Sequence, residues 1–111
     1  MTEQISVQDL KSLMDSGSPR IIDVREEWEF NQGHLPTAAW LPMSSVPQNT
    51  AAFIADDPVY VVCRTGNRSG QVVDWLARLD IRSVNVAGGT VEWQALGYPI
   101  DTTPAERSLL P

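Results

Sequence analysis

The single cysteine of the chain, Cys63, stands at the end of an apolar run and directly before a polar loop. Residues 63–70 read Cys-Arg-Thr-Gly-Asn-Arg-Ser-Gly, so cationic and hydroxyl side chains follow the thiol closely. A thiol becomes a nucleophile when it loses its proton, and nearby cations or a helix N-terminus favour that loss. We therefore predict a depressed pKa and a nucleophilic role for Cys63. An inert core cysteine is the alternative, and the polar residues that follow argue against it.

The elements that position this thiol can be predicted on both sides of it. Val59–Val62 is a β-prone run typical of a short buried strand, and apolar residues at helical spacing follow the loop. These apolar residues are Val72, Trp75, Leu76 and Leu79. Gly66 and Asn67 readily accept positive φ, so the loop can turn its backbone N–H groups inward. Together with a helix N-terminus, such a nest binds anions.

The predicted anion-binding residues are the six that follow the cysteine. They are Arg64, Thr65, Gly66, Asn67, Arg68 and Ser69. The two guanidinium groups are expected to supply charge, and the backbone N–H groups and the two hydroxyls are expected to supply hydrogen bonds.

Length and composition favour one globular domain with few kinds of partner. The chain has 111 residues, 42% of them hydrophobic, and a formal net charge of −6. A negative chain is a poor match for nucleic acid or an anionic membrane, so we expect neither as a partner. The first residues lack the pattern of a secretory signal, and no apolar stretch is long enough to span a bilayer. We therefore expect a soluble, cytoplasmic protein.

The cysteine and histidine counts exclude several chemistries. One Cys and one His leave no disulfide, no Cys-x-x-Cys pair and no evident metal site. We expect neither a metal nor a cofactor. With no second thiol in the chain, an external nucleophile must discharge any sulfur or oxidation product on Cys63.

The first third of the chain predicts two strands and two helices. Ile5 begins a short strand, and Ser6 with Asp9 resembles a helix start. The apolar positions of that helix are Val7, Leu10, Leu13 and Met14. A buried strand follows over residues 20–24, and then a short helix on which Arg25 and Glu29 are expected to pair.

Asp23 and His34 are the two candidate general bases near the predicted site. Asp23 ends a strand on the side where the Cys63 loop should emerge, but an Asp-x-Arg sequence favours a structural pair with Arg25. His34 lies in a Gly-His-Leu-Pro turn, where a hydrogen-bonded structural histidine is the favoured interpretation over a Cys–His pair. Neither residue is predicted to be catalytic.

The remaining chain predicts alternating helices and strands. A helix is expected over residues 47–54, and Asp80 is expected in the left-handed conformation after the helix that follows Cys63. Ser83–Val86 alternates as a strand. Gly88 and Gly89 predict a tight turn with close backbone approach. Thr90 is expected to cap a short helix that carries Trp93 and Leu96.

This alternation predicts an α/β domain with a parallel sheet and right-handed crossovers. We assign residues 1–100 to the domain and residues 101–111 to a C-terminal tail. The tail has two prolines and little periodicity, so we expect it to lie on the surface or to be mobile. A frayed end is favoured over docking of Leu109 and Leu110 on a partner.

Several segments together resemble the rhodanese-like family, whose enzymes are thiosulfate sulfurtransferases. The segments occur in the family's order and spacing: Cys63-Arg-Thr-Gly-Asn-Arg68, Ile22-Asp-Val-Arg25 with Glu29-Phe30, Gly33-His-Leu-Pro36 with Ala38, and Val84-Asn-Val-Ala-Gly-Gly89 with Trp93. The resemblance implies a single domain with a central five-stranded parallel sheet flanked by helices on both faces. At Thr37 the family commonly has Gly, so the geometry of that turn is a point of departure.

The resemblance also implies a reaction. The Cys63 thiolate would take a sulfur from a small sulfur-containing anion such as thiosulfate and hold it as a persulfide. An acceptor would then remove it: cyanide in an assay, a thiol, or a thioredoxin-like or other sulfur-acceptor protein.

Two other functions remain open from the residues alone. The first is a non-catalytic binding or regulatory module that keeps the loop. The second, less favoured, is a Cys-dependent phosphatase or arsenate reductase, since a nest with Cys and Arg suits tetrahedral oxyanions. Related phosphatases resemble Cys-x-x-x-x-x-Arg, whereas here Arg68 comes one residue early and Ser69 takes the Arg position.

Overall fold

Strands and helices alternate along the chain in the computed structural model, which describes residues 2–105. In chain order the elements are β1 (Gln4–Ile5), α1 (Val7–Ser16), β2 (Ile21–Asp23), α2 (Glu27–Gln32), β3 (Ala39–Trp40), β4 (Val59–Val62), α3 (Asn67–Ala77), β5 (Ser83–Val86) and α4 (Gly89–Ala95). Two 3₁₀ segments, Met43–Gln48 and Thr50–Phe53, connect β3 to β4.

The strands form one five-stranded sheet in the order β1-β5-β4-β2-β3, and each neighbouring pair is parallel. Strand β4 is central, with Asp23 of β2 opposite Val62 and Asn85 of β5 opposite Val61. Parallel strands end at a common edge, so the segments after β2, β4 and β5 are brought together. The predicted parallel α/β sheet is confirmed.

Helices cover both faces of the sheet, as expected. On the face we call the α3 face, Val61 and Cys63 pack in one core cluster with Leu76 of α3 and with the 3₁₀ segments. On the opposite face, the α1 face, Val62 packs in a second cluster with Leu10 of α1 and with Trp93 of α4, among others. Because side chains alternate along a strand, Cys63 and its neighbour Val62 point to opposite faces.

Three local conformations agree with the sequence. The Ser6 hydroxyl oxygen accepts a hydrogen bond from the Asp9 N–H at 3.0 Å and caps α1. Asp80 is left-handed at φ 59°. Thr37 also has positive φ, at 66°, which explains why glycine suits this turn. A β-branched residue there costs roughly 1–2 kcal/mol of backbone strain.

Other local predictions were wrong. The helix expected over 47–54 is replaced by the two 3₁₀ segments, because Asn49 at φ −135° interrupts the helical backbone between them. Gly88, not Thr90, is the N-cap of α4, and its left-handed φ of 82° starts the helix one residue before Thr90. Three leucines named among the apolar residues of the predicted helices are exposed by 38–49%: Leu13, Leu79 and Leu96.

Residues 101–105 return to the region of α2. The backbones of His34 and Asp101 form an antiparallel bridge, and the Ala105 N–H donates to Asn31 Oδ1 at 2.7 Å. Residues 106–111, which include Leu109 and Leu110, lie outside the described part of the chain, so the division at residue 100 stays a prediction. Among the described residues, none of the helices has the length and apolar character needed to cross a bilayer.

Candidate active site

The Cys63 sulfur lies immediately after the central strand, at the edge where the parallel strands end. Cys63 is 1% exposed. The backbone N–H of Gly66 donates to its Sγ at 3.1 Å, and Ser69 Oγ lies 3.2 Å away. The loop therefore bends back so that its own hydrogen-bond donors surround the sulfur.

These donors shift the acid–base equilibrium of the thiol. Burial acts to raise the pKa of Cys63, since a charged thiolate loses hydration. Hydrogen bonds from the Ser69 hydroxyl and from the backbone of Ser69, Gly66 and Thr65 act in the opposite direction and outweigh it, so the pKa of Cys63 is lowered. The direction agrees with the sequence prediction, and short-range hydrogen bonds are its cause.

A left-handed glycine makes the bend possible. Gly66 has φ 99° and is the N-cap of α3, so the helix begins directly beneath the sulfur. Asn67 does not adopt positive φ, because it is already the first residue of the helix. Of the seven predicted site residues, Cys63 and Ser69 are buried, Gly66 and Arg68 are half-buried, and Arg64, Thr65 and Asn67 are exposed.

The turn between β5 and α4 supports the loop from below. The N–H groups of Thr90 and Val91 donate to the carbonyl oxygens of Cys63 and Arg64, each at 3.0 Å. A Cβ on Gly89 would lie only 2.5 Å from the Arg64 carbonyl oxygen and would also clash with that of Cys63. The predicted close backbone approach at the Gly-Gly turn is confirmed, and it fixes the loop backbone.

The two loop arginines have different environments. Arg68 forms a bidentate ion pair with Glu29, with Nη1–Oε1 and Nη2–Oε2 distances of 2.7 and 2.9 Å. This pairing, with help from the Glu26 N–H and against the effect of burial, lowers the pKa of Glu29 to about 2. Among residues 2–105 the ion pairs do not include Arg64. Within the described part of the chain, Arg64 is therefore the exposed loop cation whose charge is not neutralised by a paired carboxylate.

The expected pair between Arg25 and Glu29 was wrong, since each binds another residue. Arg25 Nη2 donates to Asp23 Oδ2 and to the Gly33 carbonyl oxygen, both at 2.8 Å. Asp23 lies on the α1 face, because it is level with Val62 in the sheet. Its carboxylate therefore points away from the face that holds Cys63, and the pair is the buried structural clamp favoured by the sequence.

His34 is also occupied elsewhere. Its Nδ1 lies 3.0 Å from the Leu35 carbonyl oxygen and its Nε2 lies 2.9 Å from that of Thr103. The ring stacks on Phe30 with a centroid distance of 3.7 Å. Both ring nitrogens thus face backbone carbonyls, so the imidazole holds the 101–105 segment and does not form a Cys–His pair.

Sequence reasoning missed two partners of the loop, Glu29 as the partner of Arg68, and Asn85. The Asn85 amide lies between loop and strand: its Oδ1 is 2.6 Å from Ser69 Oγ, and its Nδ2 is 3.1 Å from the Gly66 carbonyl oxygen. The available signal was alternation in β5. Val86 belongs to the α1 face, so Asn85 had to be a polar side chain on the face that carries Cys63.

A groove of about 250 Å³ opens beside the loop. Its lining includes Arg64, Trp28, Glu29, Thr90, Val91 and Gln94. Trp28 is 64% exposed, so the groove has one aromatic wall and one cationic wall. A larger groove, of about 460 Å³, lies between α3 and the first 3₁₀ segment and is not lined by any of residues 63–69. The smaller groove is thus the one that reaches the cysteine loop.

These observations define one class of site. A buried thiol lies in a nest of N–H donors, at the end of the central strand of a parallel α/β sheet. Residues 6–96 match the model of the Rhodanese-like domain family. The chain belongs to the rhodanese-like family.

Named relatives and solved structures agree with this membership. A sulfurtransferase of Allochromatium vinosum is 32% identical over 90% of this chain and 95% of its own length. The thiosulfate sulfurtransferase GlpE of Tolumonas auensis is 31% identical over 90% of this chain and 94% of its own. A crystal structure of a rhodanese-related protein from Thermoplasma volcanium has a TM-score of 0.83, is 29% identical, and covers 91% of this chain and 99% of its own.

Proposed function

We propose that the protein is a sulfurtransferase that moves a sulfane sulfur from a donor such as thiosulfate, through a persulfide on Cys63, to an acceptor. The observation that carries this proposal is the ring of donors around one sulfur: the Gly66 N–H at 3.1 Å and the Ser69 hydroxyl at 3.2 Å, in a loop that opens onto a groove. The names of the relatives support the same chemistry.

The first half-reaction loads the enzyme. The Cys63 thiolate attacks the outer sulfur of thiosulfate and forms a new S–S bond. The bond between the two thiosulfate sulfurs breaks, and sulfite leaves with its electron pair. The persulfide that remains on Cys63 carries its negative charge on the terminal sulfur, where the loop N–H groups stabilise it.

The second half-reaction returns the thiolate. A nucleophile attacks the terminal sulfur, the S–S bond of the persulfide breaks, and its electron pair returns to Cys63 Sγ. Cyanide serves as acceptor in an assay and gives thiocyanate. In the cell we propose a thiol, either a small molecule or a thioredoxin-like or other sulfur-acceptor protein, because the chain has no second cysteine to discharge the first.

The other site residues divide into two groups. Arg64, Thr65 and Asn67 are exposed and are proposed to contact the donor anion, with Arg64 supplying the full charge. Arg68 has its guanidinium held by Glu29, so we assign it to positioning the loop against α2.

The phosphatase alternative has no support from the geometry. A transferring phosphoryl group needs a guanidinium fork facing the nucleophile. Ser69 occupies that position in sequence, and Arg68 directs its fork at Glu29. A binding module that keeps the loop is the remaining alternative, and kinetics separates it from an enzyme.

The test is a two-substrate rate study with thiosulfate and cyanide. A double-displacement enzyme gives parallel lines in double-reciprocal plots, because sulfite leaves before the acceptor reacts. We expect thiocyanate from the wild-type protein and none from Cys63→Ser, with both proteins melting cooperatively. Intersecting lines would contradict the persulfide route. Absence of thiocyanate from a folded wild-type protein would favour a binding module or another donor.

A further inference from the structure

The Asn85 side chain is a buried amide beneath the cysteine loop, on the α3 face of the sheet. Asn85 is 4% exposed and Ser69 is completely buried. Asn85 lies level with Val61 in the sheet, and Val61 is two residues before Cys63. The thiol, the Ser69 hydroxyl and the Asn85 amide therefore share one small volume from which solvent is excluded.

The orientation of this amide follows from its neighbours. The Gly66 carbonyl oxygen, 3.1 Å away, can only accept, so it must face the amide NH₂ group. A second acceptor, Gln4 Oε1, lies 3.3 Å from the same nitrogen. Asn85 Oδ1 therefore faces Ser69 Oγ at 2.6 Å, and as a carbonyl oxygen it can only accept the hydroxyl proton.

The Ser69 hydroxyl thus has two acceptors and one proton. Its oxygen lies 2.6 Å from Asn85 Oδ1 and 3.2 Å from Cys63 Sγ. A hydroxyl donates one hydrogen bond at a time. When it points at Asn85 the amide is fully satisfied, and when it points at the sulfur a buried carbonyl oxygen loses its partner.

We propose that Asn85 is a positioning residue that competes with the Cys63 sulfur for the single proton of Ser69, so that the hydroxyl turns between amide and sulfur as charge moves on and off Cys63. With a neutral thiol the hydroxyl donates to Asn85. With a thiolate it donates to Sγ, because a charge-assisted hydrogen bond is stronger than a neutral one.

This rotation of the Ser69 hydroxyl between Asn85 and Sγ follows the two half-reactions of sulfur transfer. Its role in the reaction therefore rests on the proposed function. In the persulfide the negative charge sits on the terminal sulfur, and the hydroxyl returns to Asn85. When an acceptor breaks the S–S bond, the electron pair arrives on Sγ, and the hydroxyl turns to meet it. The resting thiolate is then stabilised less than it would be without Asn85, which keeps Cys63 a better nucleophile at a given degree of ionisation.

Other charged groups near the sulfur do not take part in this exchange. Arg68 of α3 interacts electrostatically with Cys63, and Arg64 follows it in the chain. Among residues 2–105, the side-chain hydrogen bonds of Asn85 run to Ser69, Gly66 and Gln4. Asn85 therefore acts on the thiol through the hydroxyl and the loop backbone.

The test is a double-mutant cycle read out by the thiol itself. The apparent pKa of Cys63 is taken from the pH dependence of iodoacetamide alkylation, with no other cysteine in the chain to interfere. Ser69→Ala raises this pKa because the thiolate loses a donor. Under the proposal, Ser69→Ala raises the pKa of Cys63 by about half a pKa unit more in the Asn85→Ala background than in the wild-type background. Without the Asn85 amide, the Ser69 hydroxyl donates to the thiolate without leaving a buried carbonyl oxygen unpaired, so its removal costs the thiolate more. An equal or smaller rise would overturn the proposal, since a purely structural Asn85 predicts that outcome.

Two further measurements keep the test decisive. If the Asn85→Ala protein does not fold, Asn85→Leu replaces it in the same cycle, because leucine fills the space of the amide. In the wild-type protein, the ¹³Cγ signal of Asn85 should titrate with the thiol, whereas that of Asn49, bound to the Ser45 carbonyl oxygen, should not. An Asn85 signal that stays constant through the thiol titration would contradict the proposal. None of these measurements needs sulfur transfer, so their outcome is independent of the proposed reaction.

Discussion

The neighbouring strands β2 and β4 end at the same edge of the sheet, and both are followed by polar residues that chemistry could use. At the end of β2, Arg25 donates to the Asp23 carboxylate and to the Gly33 carbonyl oxygen, so the charges of Asp23 and Arg25 neutralise each other inside the protein. After β4, the donors of the Cys63 loop converge on one sulfur instead. The comparison teaches that a charged residue at the end of a strand indicates a functional site only when a neighbouring side chain does not already neutralise its charge.

The clamp after β2 should have the largest effect on stability. Arg25→Met leaves the Asp23 carboxylate buried without its partner, and we expect a loss of about 3–5 kcal/mol in the free energy of unfolding, measured in urea. Adding Asp23→Asn to this variant removes the buried charge and should recover much of the loss. A loss below about 1 kcal/mol in Arg25→Met would show that the clamp is not structural.

The turn beneath the Cys63 loop should come next. Gly89→Ala places a methyl group against the Cys63 and Arg64 carbonyls at φ 57°, so overpacking and backbone strain add, and we expect a loss of about 3 kcal/mol. Gly97→Ala is the matched control, because Gly97 has φ 74° but no neighbouring atom within 4 Å. It should cost only the strain, about 1 kcal/mol. Equal losses in chemical denaturation would remove the case for close packing under the loop.

The ion pair that joins the two regions should give a pH-dependent effect. The pKa of Glu29, about 2 in the folded protein, lies below its ordinary 4.5, so the ionised pair stabilises the fold above about pH 4.5 and is lost as pH falls toward 2. Since Arg68 is partly exposed, solvent screens the pair, and we expect Glu29→Gln to cost about 2 kcal/mol at pH 7.

At pH 3 the cost of Glu29→Gln should fall below half of its value at pH 7. The control is Glu3→Gln, which breaks the exposed pair with Arg82. At pH 7 it should lower the free energy of unfolding by less than Glu29→Gln does. A cost for Glu29→Gln that is the same at both pH values would show that the depressed pKa is not coupled to folding.

The smallest predicted effect concerns the exposed loop arginine. Arg64→Gln should raise the KM for thiosulfate about fivefold, or about 1 kcal/mol, because a single exposed charge attracts the anion weakly and is screened by salt. Arg78→Gln, an exposed arginine at the far end of α3, should leave KM unchanged. If both substitutions raise KM alike, general surface charge and not the loop attracts the donor.

The sequence predicted most of what depends on local pattern. Three features follow from residue type, because few other residues suit each local structure. They are the strand formed by Val59–Val62, the left-handed conformation of Gly66 and the close backbone approach at Gly89. The lowered pKa of Cys63 could be predicted in direction from the donors next to it in the chain.

The contacts that could not be predicted are those between distant segments. Helical spacing suggested that Glu29 pairs with Arg25. Instead, Arg25 binds Asp23, and α3 brings Arg68 to Glu29 from 39 positions along the chain. Asn85 meets Ser69 only because β5 lies beside β4 in the sheet. Such contacts depend on the order of the strands in the sheet, and the spacing of residues within one segment does not predict that order.

The most direct test of the central claim is the intact mass of the protein before thiosulfate, after thiosulfate, and after subsequent cyanide. Wild-type protein should gain the mass of one sulfur atom and lose it again with release of thiocyanate, while Cys63→Ser gains nothing. That result would establish the persulfide on Cys63. No gain in a wild-type protein whose thiol is still alkylated by iodoacetamide would contradict sulfur transfer from thiosulfate.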